Sequence, residues 1–322
     1  MVKISFCVTY YNQAKFVEQS INSILAIEIP CDYEILIGDD GSTDDTLEKI
    51  REFKNLYPDK IKYFIMPREK DKKYNFIHRA ADNRLNIAEK ASGDYIMFLD
   101  GDDFYCDQNF VTEALEKFNQ NKKLVACAFN FYYFYEKDKS KKLFDQNLNS
   151  GILDNKLYVK KHYTHSGAIV FKNILDVKKI KYLKNSKNFD DNVITIYFLQ
   201  FGDLYYIDKP IYAYRQTDNS IWNSMFEIEQ HLLNTMDYEI ISRIAPIFKK
   251  ELAKRQYNSI HKIYKNRENL EQMLGENIYN KYLKENSELK NQFVLDILNW
   301  NKLSFVKRFI VKLKYMYLRC SK

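Results

Sequence analysis

The chain has 322 residues, of which 46% are hydrophobic and 29% charged, the values of a globular protein with room for more than one domain. Its 26 tyrosines and 22 phenylalanines exclude a disordered chain, and only eight glycines and five prolines argue against a turn-rich all-β sandwich. The five cysteines are odd in number and lack C-x-x-C spacing, which argues against a disulfide framework or a zinc site and favours the cytoplasm.

The formal net charge of +7 is concentrated at the carboxyl end of the chain. Residues 299–322 contain seven basic side chains and no acidic one, so residues 1–298 are formally neutral. A neutral body argues against nucleic acid as a partner. No basic-then-apolar leader opens the chain and no apolar run approaches the ~20 residues that span a bilayer, so we expect neither a secretory signal nor a membrane-crossing helix.

Short apolar runs alternate with helical patterns through the first third of the chain. The runs predict strands, and the segments between them predict amphipathic helices, the second of which would start with Ser42 as N-cap and Asp45 as its acidic partner. The predicted strands are 3–8, 33–37, 61–66 and 95–99. The predicted helices are about 16–25, 42–55 and 80–90. This alternation is typical of βαβ units in a mostly parallel sheet.

The second part of the chain is predicted less regularly. We predict a helix at 107–121, a long aromatic strand at 124–135 and a polar excursion at 136–150. A strand at 167–171, an apolar helix at 193–201 and an edge strand at 209–215 would follow. Residues 223–298 have helical periodicity and few breakers, mainly Pro246 and Gly275, which predicts three or four helices.

Polar clusters follow three of the predicted strands, at 9–12, 39–40 and 100–103. In parallel sheets, ligands bind beyond the carboxyl ends of the strands. Asp100, Asp102 and Asp103 lie within four residues and repel one another unless a cation joins them, and hard carboxylate oxygens suit Mg²⁺ or Mn²⁺. The alternative is an ordinary solvated turn. Neither a G-x-G-x-x-G fingerprint nor a P-loop is present.

Three linked motifs give the chain a family resemblance. They are V-T-x-Y-N at 8–12, I-x-D-D-G-S-x-D at 37–44 and G-D-Y-I-x-F-L-D-x-D-D at 93–103. The chain resembles the family 2 inverting glycosyltransferases of GT-A fold over 1–110, and more weakly to 222. The resemblance implies an α/β fold with a Rossmann-like, mostly parallel sheet in a catalytic domain at 1–222, divided into a nucleotide-binding half, 1–110, and an acceptor half, 111–222. The resemblance ends there, and the helical periodicity of the remaining residues predicts a helical region at 223–322.

The resemblance also implies roles in holding the donor. Thr9 and Tyr11 would line the base pocket, with Tyr11 stacking on the ring while Asp40 accepts the base N3–H. Asp39 could bind the nucleotide or only cap the following helix. Arg84 would touch the nucleotide or its phosphates, although Leu85 follows it where the family usually has asparagine.

The same resemblance implies which residues bind the metal and which face the acceptor. Asp100 and Asp102 would hold Mn²⁺ or Mg²⁺. Asp191 stands second in an acidic pair before an apolar helix, where the family has its catalytic base, and helix capping is the alternative. His165 would contact a phosphate or the acceptor, and Arg215 would close over the diphosphate.

The segment 299–322 predicts a basic amphipathic helix with an apolar stripe at Leu303, Val306, Ile310, Leu313 and Tyr317. Such a helix suits the surface of an anionic membrane, and docking against the preceding helices is an equal alternative.

The function implied is inverting, metal-dependent transfer of a sugar from a nucleotide sugar to a glycan or lipid-linked acceptor. The donor would be a UDP-sugar, with dTDP-sugars as an alternative. Assembly of bacterial surface polysaccharide or lipooligosaccharide, in the cytoplasm or on the cytoplasmic face of the inner membrane, would be the setting. The alternatives are a sugar-nucleotide pyrophosphorylase, which lacks its glycine-rich triphosphate loop here, and a non-catalytic nucleotide-sugar-binding scaffold.

Overall fold

The structure, a computed structural model, describes residues 3–69, 76–145, 147–176, 190–217 and 225–320. The chain divides into two compact units. The first comprises Met1–Asn155 and Tyr163–Thr217, and the second comprises Lys156–His162 and Asp218–Lys322. The division of the catalytic region into donor and acceptor halves stays a prediction.

The first unit begins with alternating strands and helices, as predicted. They are β1 (Lys3–Tyr10), α1 (Ala14–Leu25), β2 (Asp32–Asp39), α2 (Thr46–Leu56), β3 (Ile61–Ile65), α3 (Phe76–Ala88) and β4 (Tyr95–Asp100). β1 lies between β2 and β4, and β2 pairs with β3, all in parallel register. The apolar runs of β1 and β4 are buried because helices cover the sheet, and α1 contributes Phe16, Val17 and Ile21 to the core.

The same sheet continues through the second half of this unit. The further elements in chain order are β5 (Phe104–Tyr105), α4 (Phe110–Gln120), β6 (Leu124–Tyr135), β7 (Lys141–Leu143), β8 (Gly151–Leu153), α5 (Asn155–Lys161), β9 (Ile169–Lys172), α6 (Asp191–Leu199) and β10 (Asp203–Gln216). Of these, α5 belongs to the second unit from Lys156 onward. In the described residues the strand order is β3-β2-β1-β4-β9-β6-β10-β5, with β7 on β6 and β8 on β10. Short β9 pairs antiparallel with β4 and β6, whereas the long ladder between β6 and β10 is parallel.

Three sequence-based predictions in this unit were wrong. α2 begins at Thr46 with no side-chain cap, because the Ser42 hydroxyl instead accepts from the backbone N–H of Asn12 at 3.0 Å. β10 is not an edge strand, since β6 flanks it on one side and β5 and β8 on the other. The polar excursion at 136–150 contains β7, which extends the sheet by pairing with β6.

The second unit is helical. Its helices after α6 are α7 (Glu227–Ile244), α8 (Lys249–Lys265), α9 (Leu270–Leu274), α10 (Glu276–Glu288), α11 (Gln292–Leu298) and α12 (Phe305–Cys320). The two predicted breakers act as expected: Pro246 lies in the 3₁₀ turn between α7 and α8, and Gly275 separates α9 from α10 with φ of +73°. Five helices, rather than three or four, therefore occupy 227–298, because the short α9 and α11 have too few turns to register as separate periodic segments.

α12 contacts its own unit through a narrow face. Val311 is its one buried residue, and the Tyr315 ring stacks on Tyr264 with the centroids 4.1 Å apart. The predicted apolar stripe lies elsewhere on the helix and is largely exposed, with Val306 at 65% and Tyr317 at 74%. No helix among the described residues combines enough length with enough apolar character to cross a bilayer.

Candidate functional site

Parallel register brings the three predicted polar clusters to one rim of the sheet. Thr9 of β1 lies opposite Gly38 of β2 and Asp100 of β4, and Tyr10 lies opposite Asp39. The strands end together at these residues, so every side chain that follows them emerges at the same edge. The sequence-based prediction that these clusters converge is confirmed.

The turn after β4 requires its glycine. A Cβ on Gly101 would lie 2.1 Å from the ring of Tyr10, and the Gly101 N–H donates to the Thr9 carbonyl at 2.9 Å. Close packing against β1 therefore fixes the turn. Asp100, which precedes it, accepts from the Thr9 hydroxyl at 3.3 Å and from the Arg84 guanidinium at 2.6 Å.

The next two carboxylates of the turn have different surroundings. Burial, followed by the charge of Asp100, raises the pKa of Asp102 to about 6. Asp103 is buried, and its carboxylate accepts from the Tyr212 hydroxyl and, at 2.7 Å, from the backbone N–H of Arg215. Asp103 thus joins the turn to β10, and burial, followed by the charge of Asp102, raises its pKa well above the ordinary value.

The donor atoms at this rim suit a hard divalent cation. Ligand atoms of Asp100, Asp103 and His165 lie within 4.8 Å of one another. Burial, and after it the repulsion among the carboxylates, raises the pKa values of Asp102 and Asp103, and a cation would favour the ionised forms of both. His165 fits less well as a ligand. Its Nδ1 accepts the Gly167 N–H at 3.2 Å, so the proton of a neutral ring is on Nε2. The carboxylates are therefore the residues that fit Mn²⁺ or Mg²⁺.

Asp190 and Asp191 divide two tasks at the start of α6. Asp190 caps the helix by accepting the Val193 N–H at 2.8 Å. Asp191 instead accepts from the Tyr163 hydroxyl at 2.8 Å and from the backbone N–H and hydroxyl of Ser166, the former at 3.1 Å. Capping therefore does not account for Asp191.

Asp191 belongs to the same rim as the carboxylate turn. The His165 Nε2 lies 3.7 Å from its carboxylate, and His165 is also within 4.8 Å of Asp100. Burial opposes ionisation of Asp191, but His165, Arg84 and the hydrogen bonds outweigh it, so its pKa lies below the ordinary value. Asp191 is therefore a carboxylate at neutral pH.

The predicted base pocket contains two arginines that the motif did not indicate. Asp40 is buried and forms ion pairs with Arg68 and Arg79. The Arg68 guanidinium also lies over the ring of Tyr11, 3.8 Å from its centroid. Asp39 uses one carboxylate oxygen to accept the N–H groups of Gly41 and Ser42, each at 3.0 Å, which closes the turn after β2.

The two arginines predicted from the sequence differ in position. Arg84 reaches the rim, and the charges of Asp100 and Asp191 stabilise its cation against the cost of burial. Arg215 is 3% exposed, and its guanidinium contacts Glu136, Gln19 and the Asp102 carbonyl. Arg215 thus supports the carboxylate turn, and its contact with a diphosphate stays a prediction.

Sequence reasoning missed four residues that hold others in place: Arg68, Arg79, Tyr163 and Ser166. Tyr163 and Ser166 lie in the polar segment before β9, beside His165, and this segment was the available signal. Arg68 and Arg79 are separated from Asp40 by β3, so no local pattern links them.

Comparisons with known proteins agree with this geometry. The model of the family described as Glycosyl transferase family 2 matches residues 5–177, more than half of the chain. The poly(ribitol-phosphate) β-N-acetylglucosaminyltransferase TarP of Staphylococcus aureus is 28% identical over 305 residues, which is 90% of this chain and 82% of TarP. The poly-β-1,6-N-acetyl-D-glucosamine synthase of Staphylococcus epidermidis is 34% identical over 128 residues, 39% of this chain but 28% of that protein.

Solved structures give the same fold. S. aureus TarS, residues 1–349, in complex with UDP-GlcNAc has a TM-score of 0.62 at 15% identity, covering 88% of this chain and 81% of that one. The chain spans only about a quarter of the length of several curated relatives, for example 28% of the S. epidermidis synthase. With the family motifs on one rim of the sheet and the family model spanning β1 to β9, the chain belongs to glycosyl transferase family 2 and has the GT-A fold.

Proposed function

We propose that the chain transfers a sugar, with inversion, from a UDP-sugar to a hydroxyl of a bacterial cell-surface glycan or its lipid-linked precursor. The observation that carries this proposal is the position of Asp191, an ionised carboxylate one side chain away from the carboxylate turn after β4. A base and a leaving-group site at one rim are what direct displacement at an anomeric carbon requires.

Asp191 would take the proton of the acceptor hydroxyl as the new bond forms. Its lowered pKa keeps it ionised, and the Tyr163 and Ser166 donors fix its carboxylate against the start of α6. His165, which holds a proton on Nε2 when neutral, would donate to an acceptor or phosphate oxygen. Displacement from the face opposite the nucleotide would convert an α-linked donor into a β-linked product.

The donor would bind along β1, β2 and α3. Tyr11 and Thr9 would line the base, Asp40 would accept the N3–H of uracil, and Arg84 would contact the phosphates. Binding requires the Arg68 guanidinium to leave the face of Tyr11 or to stack beyond the base, because that face is covered in the present structure. TarS is known in complexes with UDP-GlcNAc and with UDP, and TarP and the S. epidermidis synthase are named for N-acetylglucosamine, so UDP-GlcNAc is the first donor to test.

Asp100 and Asp102 are the proposed ligands of Mn²⁺ or Mg²⁺, since both carboxylate oxygens of Asp103 already bind β10. The bound cation would supply electrostatic stabilisation to the departing nucleoside diphosphate. A mannosyltransferase of similar fold from Pyrobaculum calidifontis, 14% identical with a TM-score of 0.50, is described with GDP-Man and Mn²⁺.

We also propose that α12 holds the enzyme on the cytoplasmic face of an anionic membrane, where a lipid-linked acceptor would be available. Phe305, Phe309, Leu313 and Met316 are each about half exposed or more, and the helix carries only basic charges. Exposed apolar side chains flanked by lysine and arginine complement an acyl-chain boundary beneath acidic headgroups. Docking, the alternative from the sequence, uses the face of Arg308, Val311 and Tyr315 and leaves Val306, Ile310 and Leu313 largely exposed.

A donor panel tests the proposal. Thermal unfolding is followed with UDP-GlcNAc, UDP-Glc, GDP-Man and dTDP-Glc, with and without Mn²⁺. A ligand of the folded state raises the midpoint with the logarithm of its concentration over its affinity. We expect the UDP-sugars to raise it, and more so with Mn²⁺. A shift with GDP-Man alone, or equal shifts for all four, would contradict the uracil assignment.

A further inference from the structure

The second unit contains a cavity that the glycosyltransfer site does not use. Its volume is about 530 Å³, within the range of pockets for small ligands. Residues of α5, α7 and α8 line it: Lys160, Lys161, Tyr238, Lys254, Arg255, Asn258 and Ser259. We call it the basic pocket, because four of these seven side chains are cationic and none is acidic.

The three lysines of the basic pocket have no acidic partner in the described part of the chain. Among the residues that the structure describes, no ion pair joins Lys160, Lys161 or Lys254 to a carboxylate. Lys160, Lys254 and Arg255 are half-buried, so they have given up part of their hydration in a region of like charge. The pKa of neighbouring His162 is lowered by burial first and then by the positive charges of Lys161 and Arg255.

The backbone geometry holds these groups in place. One Arg255 nitrogen donates to the Val159 carbonyl at 3.2 Å and to the His162 carbonyl at 2.9 Å, which ties α8 to the end of α5. Ser259 is buried on the pocket wall, 3.2 Å from His231 Nδ1. Two segments almost 100 residues apart in the chain therefore present their cations to one cavity.

Helix electrostatics explains only part of this arrangement. Lys160 and Lys161 occupy the last turn of α5, where the helix dipole favours cations. Lys254 and Arg255 lie within α8, in its second turn, where the dipole does not favour cations. Hydrogen bonds to carbonyls at the end of α5 account for Arg255, but the approach of Lys254 to the α5 lysines requires another account, and an anionic ligand supplies it.

We propose that the basic pocket binds a phosphate ester, with the phosphate between the α5 lysines and the α8 cations and the esterified group in the remaining volume. Lysine and arginine around a concave site with hydroxyl and amide donors (Ser259 and Asn258) are the chemistry that recognises phosphate oxygens. The proposal does not rest on sugar transfer, because the cavity and its cations belong to the second unit alone.

Isothermal titration calorimetry of the full chain with glycerol 3-phosphate, in phosphate-free buffer, tests it. The variants are the double change Lys160→Gln, Lys254→Gln and the single change Lys161→Glu, with Lys250→Gln as a matched control because Lys250 is an exposed α8 lysine outside the pocket. We expect the affinity to fall about tenfold for each lysine removed, and the control to bind like the parent. Lys161 is exposed, so Lys161→Glu reports on charge without disturbing the packing.

A further variant, Arg84→Gln, separates the basic pocket from the sheet rim. Loss of glycerol 3-phosphate binding in Arg84→Gln with normal binding in the lysine variants overturns the proposal, as does no binding by the parent. The source of the phosphate is distinguished with phosphatidylglycerol vesicles: weaker vesicle binding by Lys161→Glu than by Lys250→Gln assigns a lipid headgroup. Equal vesicle binding, with soluble ester binding lost, assigns a soluble or polymeric phosphate ester.

Discussion

At the residue scale, Asp191 differs from its neighbour Asp190 because it does not cap α6. Asp190 performs the local task of capping α6, which leaves Asp191 to gather donors from the segment before β9. A buried carboxylate without such donors would resist ionisation. The Tyr163 and Ser166 hydrogen bonds therefore help to keep the proposed base ionised at neutral pH.

Removing these donors should change the pH dependence of the enzyme. In Ser166→Ala and Tyr163→Phe, the pKa of Asp191 rises because a hydrogen bond that favours its ionised form is lost. The base must be ionised to act, so the acid limb of the kcat/KM profile moves to higher pH. At neutral pH the rate falls roughly tenfold, as a less well-oriented base predicts.

Thr164→Val is the matched control for this experiment. Thr164 lies in the same buried segment, but its hydroxyl has no hydrogen-bond partner among the described residues. Its profile should coincide with that of the parent. An unshifted acid limb in both Ser166→Ala and Tyr163→Phe would mean that Asp191 is not the titrating base.

The individual site residues could be predicted to the extent that a motif carries them. Asp100 ends an apolar run and Asp191 precedes one, and because the sequence marks both boundaries, both residues were named from it and both reach the rim. The Arg68 and Arg79 contacts with Asp40 depend on how the chain after β3 folds back, which no periodicity encodes. Partners brought together only by tertiary structure are thus the ones that sequence reasoning misses.

At the element scale, one buried carboxylate joins the neighbouring strands. Glu34 of β2 accepts from the Ser5 hydroxyl of β1 at 2.8 Å and from the backbone N–H of Ser92, before β4, at 2.9 Å. Lys62 of β3 is 3.2 Å away. Burial opposes its ionisation, but hydrogen bonds from Ser92, Ser5 and Lys62 prevail and lower the pKa of Glu34 to about 2.

Glu34→Gln should destabilise the sheet in a pH-dependent way. The folded state holds the carboxylate ionised at a pH where the unfolded chain, with an ordinary pKa near 4.5, already binds a proton. The stabilisation is therefore complete above pH 4.5 and disappears as the pH falls towards 2. Above pH 4.5 we expect the free energy of unfolding to drop by about 1–3 kcal/mol.

Urea unfolding at a series of pH values measures this effect, with Glu52→Gln, an exposed change on α2, as the control. The difference between Glu34→Gln and the parent should shrink as the pH falls below 4.5. A constant difference, or a parent no more stable than Glu34→Gln at neutral pH, would rule out this role of Glu34.

Strongly periodic elements were predicted correctly, and their junctions less so. β6 extends over Leu124–Tyr135 as predicted, because aromatic residues, in which this apolar run is rich, favour a strand. The start of α2 differed because a tertiary contact, Asn12 N–H to Ser42, took the hydroxyl that a capping box would use. The edge assignment of β10 failed since β5 and β8 are too short to be recognised as strands.

At the scale of the whole molecule, the basic amphipathic helix α12 is the feature that the catalytic fold does not explain. Its apolar stripe faces away from Val311 and Tyr315, the residues that dock it. A helix that needed only to dock would place the stripe inward. The exposed stripe is therefore better explained by a surface outside the chain.

Replacing the stripe should release the protein from vesicles without unfolding it. In the triple variant Val306→Ser, Ile310→Ser, Leu313→Ser, binding to phosphatidylglycerol vesicles should fall at least about tenfold, because less apolar surface is transferred from water. Binding by the parent should also weaken in high salt. Leu56→Ser is the control in the same sedimentation assay, because Leu56 of α2 is even more exposed than the three stripe residues. Equal binding by all three proteins would refute the membrane assignment.

The catalytic assignment depends on Asp191 acting as the base beside the carboxylate turn. Its most direct test is the initial rate of sugar transfer by Asp191→Asn with UDP-GlcNAc and Mn²⁺, set against the parent and against Asp190→Asn, whose amide oxygen can still cap α6. We predict that Asp191→Asn loses roughly 10²- to 10⁴-fold in kcat while its affinity for UDP is unchanged, and that Asp190→Asn stays close to the parent. Transfer by Asp191→Asn at the parental rate would contradict the account.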